Sequence, residues 1–107
     1  MAWRVELLDR RLERELATLA QDVRQRFLRI AELIEQHGMM AMQEPHVKHL
    51  EGKLWEMRMK GRDGIARAIY VTASRERVVV VHAFEKKTQK TPARALEIAR
   101  ERAKEVK

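Results

Sequence analysis

The chain has 107 residues, 45% of them apolar, and no cysteine, so we expect one domain over residues 1–107 without disulfides or a thiolate site. Its net charge of +7 is one-sided: residues 1–52 carry eight Lys or Arg against nine Asp or Glu, and residues 53–107 carry fifteen against seven. A basic field in one half indicates a polyanionic partner, either a nucleic acid or an acidic protein, unless it serves only solubility.

Nothing in the sequence predicts contact with a membrane. The first twenty residues carry several charges, Arg4 and Asp9 among them, and no apolar segment of the kind that a signal peptide needs. The apolar run Val78–Val81 is far too short to span a bilayer. We therefore expect a cytoplasmic protein.

The first part of the chain predicts a strand followed by helix. Residues 2–7 alternate weakly between apolar and polar, and Asp9 can cap a helix after them. From there the apolar residues recur at steps of three and four, which defines one amphipathic face. A single helix over 10–37 would be about 40 Å long, whereas a domain of this size has a radius of gyration of about 13 Å. We therefore predict a break near 19–22, giving a helical hairpin that ends at Gly38.

Residues 39–52 have no clean period, and their methionines, proline and glycine predict an irregular connection. His46 and His49 have the spacing of metal ligands on a helix, but no third ligand matches them and Pro45 argues against a long helix. We expect solvated loop histidines and no metal site.

Three runs of alternating apolar and polar residues follow, separated by turn signals. The segment Gly61–Gly64 contains Asp-Gly, which is a strong hairpin signal, and residues 73–76 form a second turn. The last run is apolar on both faces, which predicts an interior strand with His82 on the face of Val78 and Val80. The three runs predict an antiparallel meander of strands Leu54–Lys60, Ile65–Thr72 and Arg77–Phe84.

A helix closes the chain, with Thr91 as its expected N-cap and Pro92 at its first position. Its one apolar stripe consists of Leu96, Ala99, Ala103 and Val106. Together these elements predict an α+β fold: an antiparallel sheet of about four strands, an N-terminal helical hairpin and a C-terminal helix.

Arg58 and Arg67 lie on neighbouring predicted strands, where pairing across the hairpin could bring them together on one face. Two adjacent guanidinium groups repel each other unless an anion lies between them, and arginine is well suited to bidentate phosphate contacts. The ordinary alternative is a pair of surface arginines matched with Glu56 and Asp63.

Further cations surround this predicted site. Lys86, Lys87 and Lys90 are expected in a loop after the last strand, and Lys60 lies on the strand of Arg58. Such lysines usually form a solvated face, but their position beside the arginines favours binding of RNA phosphates.

His82 and Tyr70 are the candidates for proton transfer. RNA cleavage by attack of the 2′-hydroxyl needs a base for that hydroxyl, an acid for the 5′-oxygen and cations for the phosphorane. Both residues lie among apolar neighbours, so a packed role competes with the catalytic one. The sequence contains no Gly-rich phosphate loop, nucleophile elbow or zinc spacing, so we expect no cofactor.

The segments LWEMRMKGRDGIARAIYV and VVVVHAFEKKTQKTP, followed by a helix, resemble the phage-derived, HigB-like branch of the RelE/ParE toxin superfamily. The phrase F-x-K-K-x-x-K-T-P, from Phe84 to Pro92, is the most specific part, and the resemblance covers nearly the whole chain. It implies a small RelE-like fold and the toxin of a type II toxin–antitoxin pair. RelE and HigB toxins cleave mRNA, generally in the ribosomal A site and without a metal, and a cognate antitoxin neutralises them.

The resemblance also implies roles for individual residues. Arg58 and Arg67 match the strand arginines that hold phosphate, and Lys86 and Lys87 fall where RelE-type toxins carry a basic residue of the active site. The C-terminal tyrosine or histidine of some family members has no counterpart in the ending IARERAKEVK, so the general base is left open. The expected partners are an antitoxin protein and mRNA on the ribosome.

Two other functions stay open at this point. One is a ParE-like inhibitor of gyrase on the same fold, which the long helical region 10–37 favours. The other is a non-enzymatic, phage-derived protein that only binds nucleic acid or an antitoxin. The fold alone cannot separate these functions, because function depends on the site.

Overall fold

The computed structural model describes residues 3–39, 47–86 and 90–107. Within these ranges one strand is followed by two helices, then by four consecutive strands and a third helix, which is an α+β order. The elements are β1 (Arg4–Leu7), α1 (Arg10–Ala17), α2 (Gln21–His37), β2 (Val47–Glu51), β3 (Leu54–Lys60), β4 (Ile65–Ala73), β5 (Arg77–Lys86) and α3 (Ala93–Ala103).

The described strands form one mixed sheet of five strands in the order β1-β5-β4-β3-β2. The meander β3-β4-β5 is antiparallel, as predicted, and β5 lies inside the sheet. The expectation of about four antiparallel strands was wrong, because β1 pairs with β5 in parallel. Two helices separate β1 from the rest of the sheet, and parallel pairing needs such a long crossover connection.

Strand β2 replaces part of the irregular connection that the sequence predicted over 39–52. It pairs with β3 at the edge of the sheet, and the register shifts between His49 and Glu51. Only Val47 of its five residues is buried, so the strand carries no alternating pattern that sequence reasoning could detect. The remaining residues of that connection, 40–46, lie outside the described residues.

The predicted break in the helical region is confirmed, since α1 ends at Ala17 and α2 begins at Gln21. Asp9 caps α1 as expected, accepting a hydrogen bond of 2.9 Å from the backbone N–H of Arg11. Gly38 ends α2 with a φ of 77°, a left-handed conformation that glycine adopts without strain.

The two helices do not form the expected hairpin, in which each would pack mainly on the other. Helix α1 packs against β5 and β1, and α2 packs against β1 and β3. The reason lies in their apolar stripes, since both place their buried residues in the core cluster that covers one face of the sheet. Leu12 of α1 and Phe27, Ile30 and Ile34 of α2 belong to this cluster.

Helix α3 covers part of the opposite face of the sheet. Ala95 and Ala99 are buried in a second cluster with Ile69, Val79 and Val81. The predicted apolar stripe is confirmed, because its four residues Leu96, Ala99, Ala103 and Val106 all belong to this cluster. No helix of the described ranges is both long enough and apolar enough to cross a bilayer.

A bulge in β5 changes which residues face α3. Ile69 pairs with His82, whereas its neighbour Tyr70 pairs with Val80, so Val81 is an extra residue in the strand. The prediction that His82 shares a face with Val78 and Val80 was therefore wrong. The bulge places His82 opposite Ile69, on the face that α3 covers.

Candidate functional site

The two predicted arginines face each other in the structure. Arg58 of β3 pairs directly with Arg67 of β4, and both lie on the face of the sheet that α3 partly covers. Directly opposed side chains in an antiparallel pair have Cβ atoms about 4.5–5.5 Å apart, and like charges at that distance destabilise the sheet unless something compensates them.

The compensating anion is Glu56, which is fully buried. One of its carboxylate oxygens contacts Nη1 of Arg67 in an ion pair and lies 3.9 Å from Nε of Arg58. The other oxygen accepts a hydrogen bond of 2.9 Å from the hydroxyl of Thr91. Of the two acidic residues expected to match the arginines, Glu56 is the one that contacts them. A buried charge must be paired, so Glu56 and Arg67 compensate each other.

Thr91 does not cap α3, contrary to the prediction. Pro92 occupies the N-cap position, and the cap makes no side-chain hydrogen bond. Because the Thr91 hydroxyl is bonded to Glu56 instead, it ties the start of α3 to β3.

The two arginines differ in access to solvent. The side chain of Arg67 is 3% exposed, whereas that of Arg58 is 35% exposed. An incoming phosphate can therefore reach Arg58 directly, but it can reach Arg67 only by rearranging its surroundings.

The lysines expected beside the arginines are spread over three positions. Lys60 is exposed, two residues beyond Arg58 on β3, and Lys90 is exposed before α3. Lys86 was expected in a loop but is the last residue of β5, opposite Ile65, because the strand extends beyond Phe84. Lys87 lies outside the described residues.

His82 is held in a network that joins α1, β5 and α3. Its Nδ1 lies 3.0 Å from Oε1 of Glu15, and its ring stacks on Phe84 with centroids 5.0 Å apart. The other oxygen of Glu15 lies 2.7 Å from Arg102, whose guanidinium also donates to the carbonyl of Val81 at 2.9 Å. The imidazole is thus fixed by a carboxylate, as in many proton-transfer sites, although its side chain is only 11% exposed.

Glu15 stays ionised in this network. Burial raises the pKa of Glu15, but hydrogen bonds from His82, from the backbone N–H of Ala83 and from Arg102 outweigh burial and hold the pKa below its ordinary value. Glu15 and Arg102 also bond the backbone of β5 beyond the end of β1, where β5 is paired with β4 on its other side only. The network therefore protects a strand edge as well as orienting His82.

Tyr70 lies apart from these residues. It is 1% exposed within the core cluster under α1 and α2, on the face opposite the arginine pair. Burial raises the pKa of Tyr70 to about 12, so its hydroxyl is protonated at neutral pH. The structure brings Arg58 and Arg67 together and separates them from Tyr70.

Sequence reasoning missed the functional partners Glu15 and Arg102. Glu15 is 67 residues from His82 in the chain, and no local pattern links an acidic residue of α1 with a strand so far away. Glu56 gave a weak signal, because residues two apart on a strand share a face and Glu56 precedes Arg58 by two.

Of the two histidines of the predicted connection, only His49 lies within the described residues, where it contacts a backbone carbonyl and an aromatic ring. Nε2 of His49 lies 2.8 Å from the carbonyl of Gly52, and its ring meets the edge of Trp55. His46 lies outside the described residues. Across 3–39, 47–86 and 90–107, no group of three His, Cys, Asp or Glu side chains could hold a metal ion.

The arrangement as a whole is a basic face with an oriented imidazole nearby, and such a face can bind an anion. Arg67 pairs with Phe84 across the strands, so His82 is its diagonal neighbour, about 7–8 Å away between Cα atoms. Arg58 is the partly exposed cation of the pair, and Lys60 adds a positive charge two residues further along β3.

Comparisons with known proteins agree with the fold. The structure is similar to a chain of the crystal structure of the archaeal RelE–RelB complex from Pyrococcus horikoshii OT3, with a TM-score of 0.62. The two chains are 21% identical, and the match covers 79% of this chain and 96% of that chain. The RelE-like fold implied by the resemblance is thereby confirmed.

At the level of sequence, no match was found among curated proteins. Residues 14–104, which are most of the chain, match the family model described as phage-derived protein Gp49-like (DUF891). The chain therefore belongs to the phage-derived Gp49-like protein family.

Proposed function

We propose that this chain is the toxin of a type II toxin–antitoxin pair and that it cleaves mRNA on the ribosome. The observation that carries the proposal is the cross-strand pair of Arg58 and Arg67, held around Glu56 on a RelE-like sheet. The excess of positive charge in residues 53–107 supports a polyanionic substrate. The HigB-like branch is part of the proposal and rests on the sequence resemblance.

In the proposed reaction the 2′-hydroxyl of one nucleotide loses its proton and attacks the adjacent phosphorus, which gives a 2′,3′-cyclic phosphate. The 5′-oxygen of the next nucleotide leaves and gains a proton, so no net proton is consumed. Arg58 binds the scissile phosphate and stabilises the charge of the phosphorane, because it is the exposed member of the pair. Arg67 acts as a positioning residue, since its ion pair with Glu56 fixes the surface on which Arg58 lies. The scheme uses side chains alone and assigns no step to a metal or cofactor.

His82 is the proposed proton-transfer group. Its Nδ1 is engaged by Glu15, which leaves Nε2 as the ring nitrogen that can exchange a proton with RNA. Lys60, Lys86 and Lys90 are the proposed contacts to the RNA backbone, and Lys87 is proposed as a basic catalytic residue on the strength of the sequence resemblance. Tyr70 is left out of the scheme because it lies in the core on the other face of the sheet.

The proposed partner is an antitoxin protein, and the proposed location is the cytoplasm, where ribosomes are found. The RelE chain from Pyrococcus horikoshii OT3 with the same fold was crystallised in a RelE–RelB complex. That complex supports a protein partner for this chain.

A second candidate is a protein that binds RNA or an antitoxin without cutting RNA. The buried ion pair between Arg67 and Glu56 favours it, because the charge of Arg67 is already compensated within the protein. The gyrase alternative was based on an extended helical hairpin, and the described helices instead pack against the sheet, so no observation favours it.

The test uses purified protein, ribosomes and a defined mRNA, with primer extension to find new ends. We expect cuts within the mRNA bound to the ribosome with wild type, and at least about 100-fold slower cutting with Arg58→Ala, typical of losing a transition-state contact. The matched control is Arg14→Ala, an exposed arginine of α1. Binding of mRNA without any cut by wild type would reject the nuclease proposal in favour of the second candidate.

A further inference from the structure

A second cluster of cations lies between α2 and the β3–β4 hairpin. A pocket of about 510 Å³ opens there, and we call it the hairpin pocket. Its charged lining comes from Arg26 and Arg29 of α2 and from Lys60 and Arg62 of the hairpin, with Asp22 as the one carboxylate. Apart from Lys60, none of these residues belongs to the site described above.

The hairpin pocket is built rigidly. Asp22 accepts a hydrogen bond of 2.6 Å from the backbone N–H of Arg62, and this bond is the main reason that the pKa of Asp22 lies below its ordinary value. Gly61 lies so close to α2 that a Cβ atom on it would be 2.6 Å from Cγ2 of Val23. The backbone of the hairpin is therefore held against the start of α2, which places Lys60 and Arg62 beside Arg26 and Arg29.

The charge of the hairpin pocket is poorly neutralised. The Asp22 carboxylate accepts hydrogen bonds from the backbone N–H groups of Arg62 and Val23. The positive charge of Arg62 also lowers the pKa of Asp22, so this single carboxylate offsets part of the charge of one cation. Arg29 has an exposed contact of 3.4 Å with Glu32, which is weak and screened by salt. Within the described part of the chain, Arg26, Lys60 and Arg62 make no side-chain ion pair. Clustered cations of this kind favour binding of an anion.

The residues that line the hairpin pocket also indicate which kind of anion it binds. It contains only charged side chains, Gln25 and a glycine, so it lacks the apolar centre of a typical protein–protein interface. It has no aromatic side chain on which a base could stack, which favours contact with the backbone of a nucleic acid. The pocket opens on the α2 side of the sheet, whereas Arg58 lies on the other face. Lys60 lines the pocket and is two residues from Arg58, about 7 Å along the strand, so an RNA strand that passes over the hairpin end of the sheet can contact both places.

We propose that the hairpin pocket binds the phosphate backbone of the RNA that is engaged at Arg58. The contact is independent of base sequence and anchors the strand beside the candidate site. This inference rests on the proposed function, because it takes the substrate to be RNA.

The test measures binding of a fluorescein-labelled oligouridylate by anisotropy, at KCl concentrations between about 50 and 200 mM. Arg26→Gln/Arg29→Gln is compared with a control, Arg10→Gln/Arg14→Gln, which removes two exposed arginines from α1. We expect only the first variant to weaken binding, by about tenfold at the lowest salt. Its slope of log K against log salt should fall by about 1.4, since each lost single-strand contact contributes about 0.7.

Equal affinity and slope in both double variants would overturn the inference, provided that circular dichroism shows both to be folded. Normal RNA binding with loss of antitoxin binding would also overturn it and would assign the hairpin pocket to a protein partner. The ribosome assay separates this inference from the proposed function. If wild type binds RNA through the hairpin pocket but never cuts mRNA, the nuclease proposal is rejected, whereas the inference that the pocket binds RNA is supported.

Discussion

At the scale of single residues, the candidate site depends on the carboxylate of Glu56, which compensates the charge of the two paired arginines. Glu56 is fully buried, and its charge is compensated by the ion pair with Arg67 and by the nearby Nε of Arg58. Removing one partner of a buried pair leaves an uncompensated charge, which costs far more than the intact pair contributes. The two arginines therefore have different roles, although they lie side by side.

This difference gives a stability prediction. Arg67→Ala should lower the free energy of unfolding by about 3–5 kcal/mol, because Glu56 is left charged and buried. Arg58→Ala should lower it by less than about 1 kcal/mol, because Arg58 is partly exposed and 3.9 Å from the carboxylate. Urea unfolding followed by circular dichroism measures both. Equal losses in the two variants would show that Arg67 has no special structural role.

The Glu15 network predicts a dependence of stability on pH. The folded-state pKa of Glu15 is depressed below its ordinary 4.5, so its ionised form stabilises the fold above that pH. The contribution is lost as the pH falls through the folded-state pKa. The advantage of wild type over Glu15→Gln in unfolding free energy should therefore shrink below about pH 4.5, where Glu15 no longer pairs with His82 and Arg102.

The matched control for this pH series is Glu13→Gln, an exposed residue of the same helix. Its unfolding free energy should follow that of wild type across the acid range. A constant difference between wild type and Glu15→Gln down to acid pH would contradict the role assigned to the carboxylate.

At the scale of elements, the contact between α2 and the β3–β4 hairpin makes a prediction about two glycines. Gly61→Ala should destabilise the protein by about 1–3 kcal/mol, because its Cβ would overlap Val23 and the close contact must open. Gly64→Ala, in the same turn, should cost much less, since no atom lies within 4 Å of the added Cβ. Thermal unfolding of both variants compares them, and similar losses would mean that the hairpin is not held by this contact.

Which elements the sequence predicts depends on whether their signal is local. The strands of the meander, the cap at Asp9 and the break between α1 and α2 follow from short patterns and were all predicted. Edge strand β2 buries only one of its side chains, so its sequence shows no alternation of apolar and polar residues. The parallel pairing of β1 depends on a partner strand more than 70 residues away in the chain. One bulge at Val81 was enough to move His82 to the other face.

The candidate site was predictable to the same degree. Arg58 and Arg67 flank a recognisable hairpin, so their pairing followed from its register. Their anion, Glu56, could be named only as one of two options. The network of His82 with Glu15 and Arg102 joins three elements that are distant in sequence, and only the fold brings them together.

At the scale of the whole molecule, the two faces of the sheet differ in how far helices cover them. One face carries the larger core cluster under α1 and α2, with Tyr70 inside it. The other face is covered by α3 over one part only, and the arginine pair lies beside that part. Substitutions of exposed residues near the arginine pair should therefore change activity without unfolding the protein, which is the condition for a clean functional test.

The measurement that tests the central claim most directly is induction of the protein in growing cells with mapping of transcript ends. We expect growth arrest with new ends inside coding regions for wild type and for the control Arg14→Ala. Arg58→Ala, folded and present at equal level, should give neither arrest nor new ends. Growth arrest without new transcript ends, or undiminished cutting by Arg58→Ala, would contradict the account of Arg58 as the phosphate-binding cation of a ribonuclease.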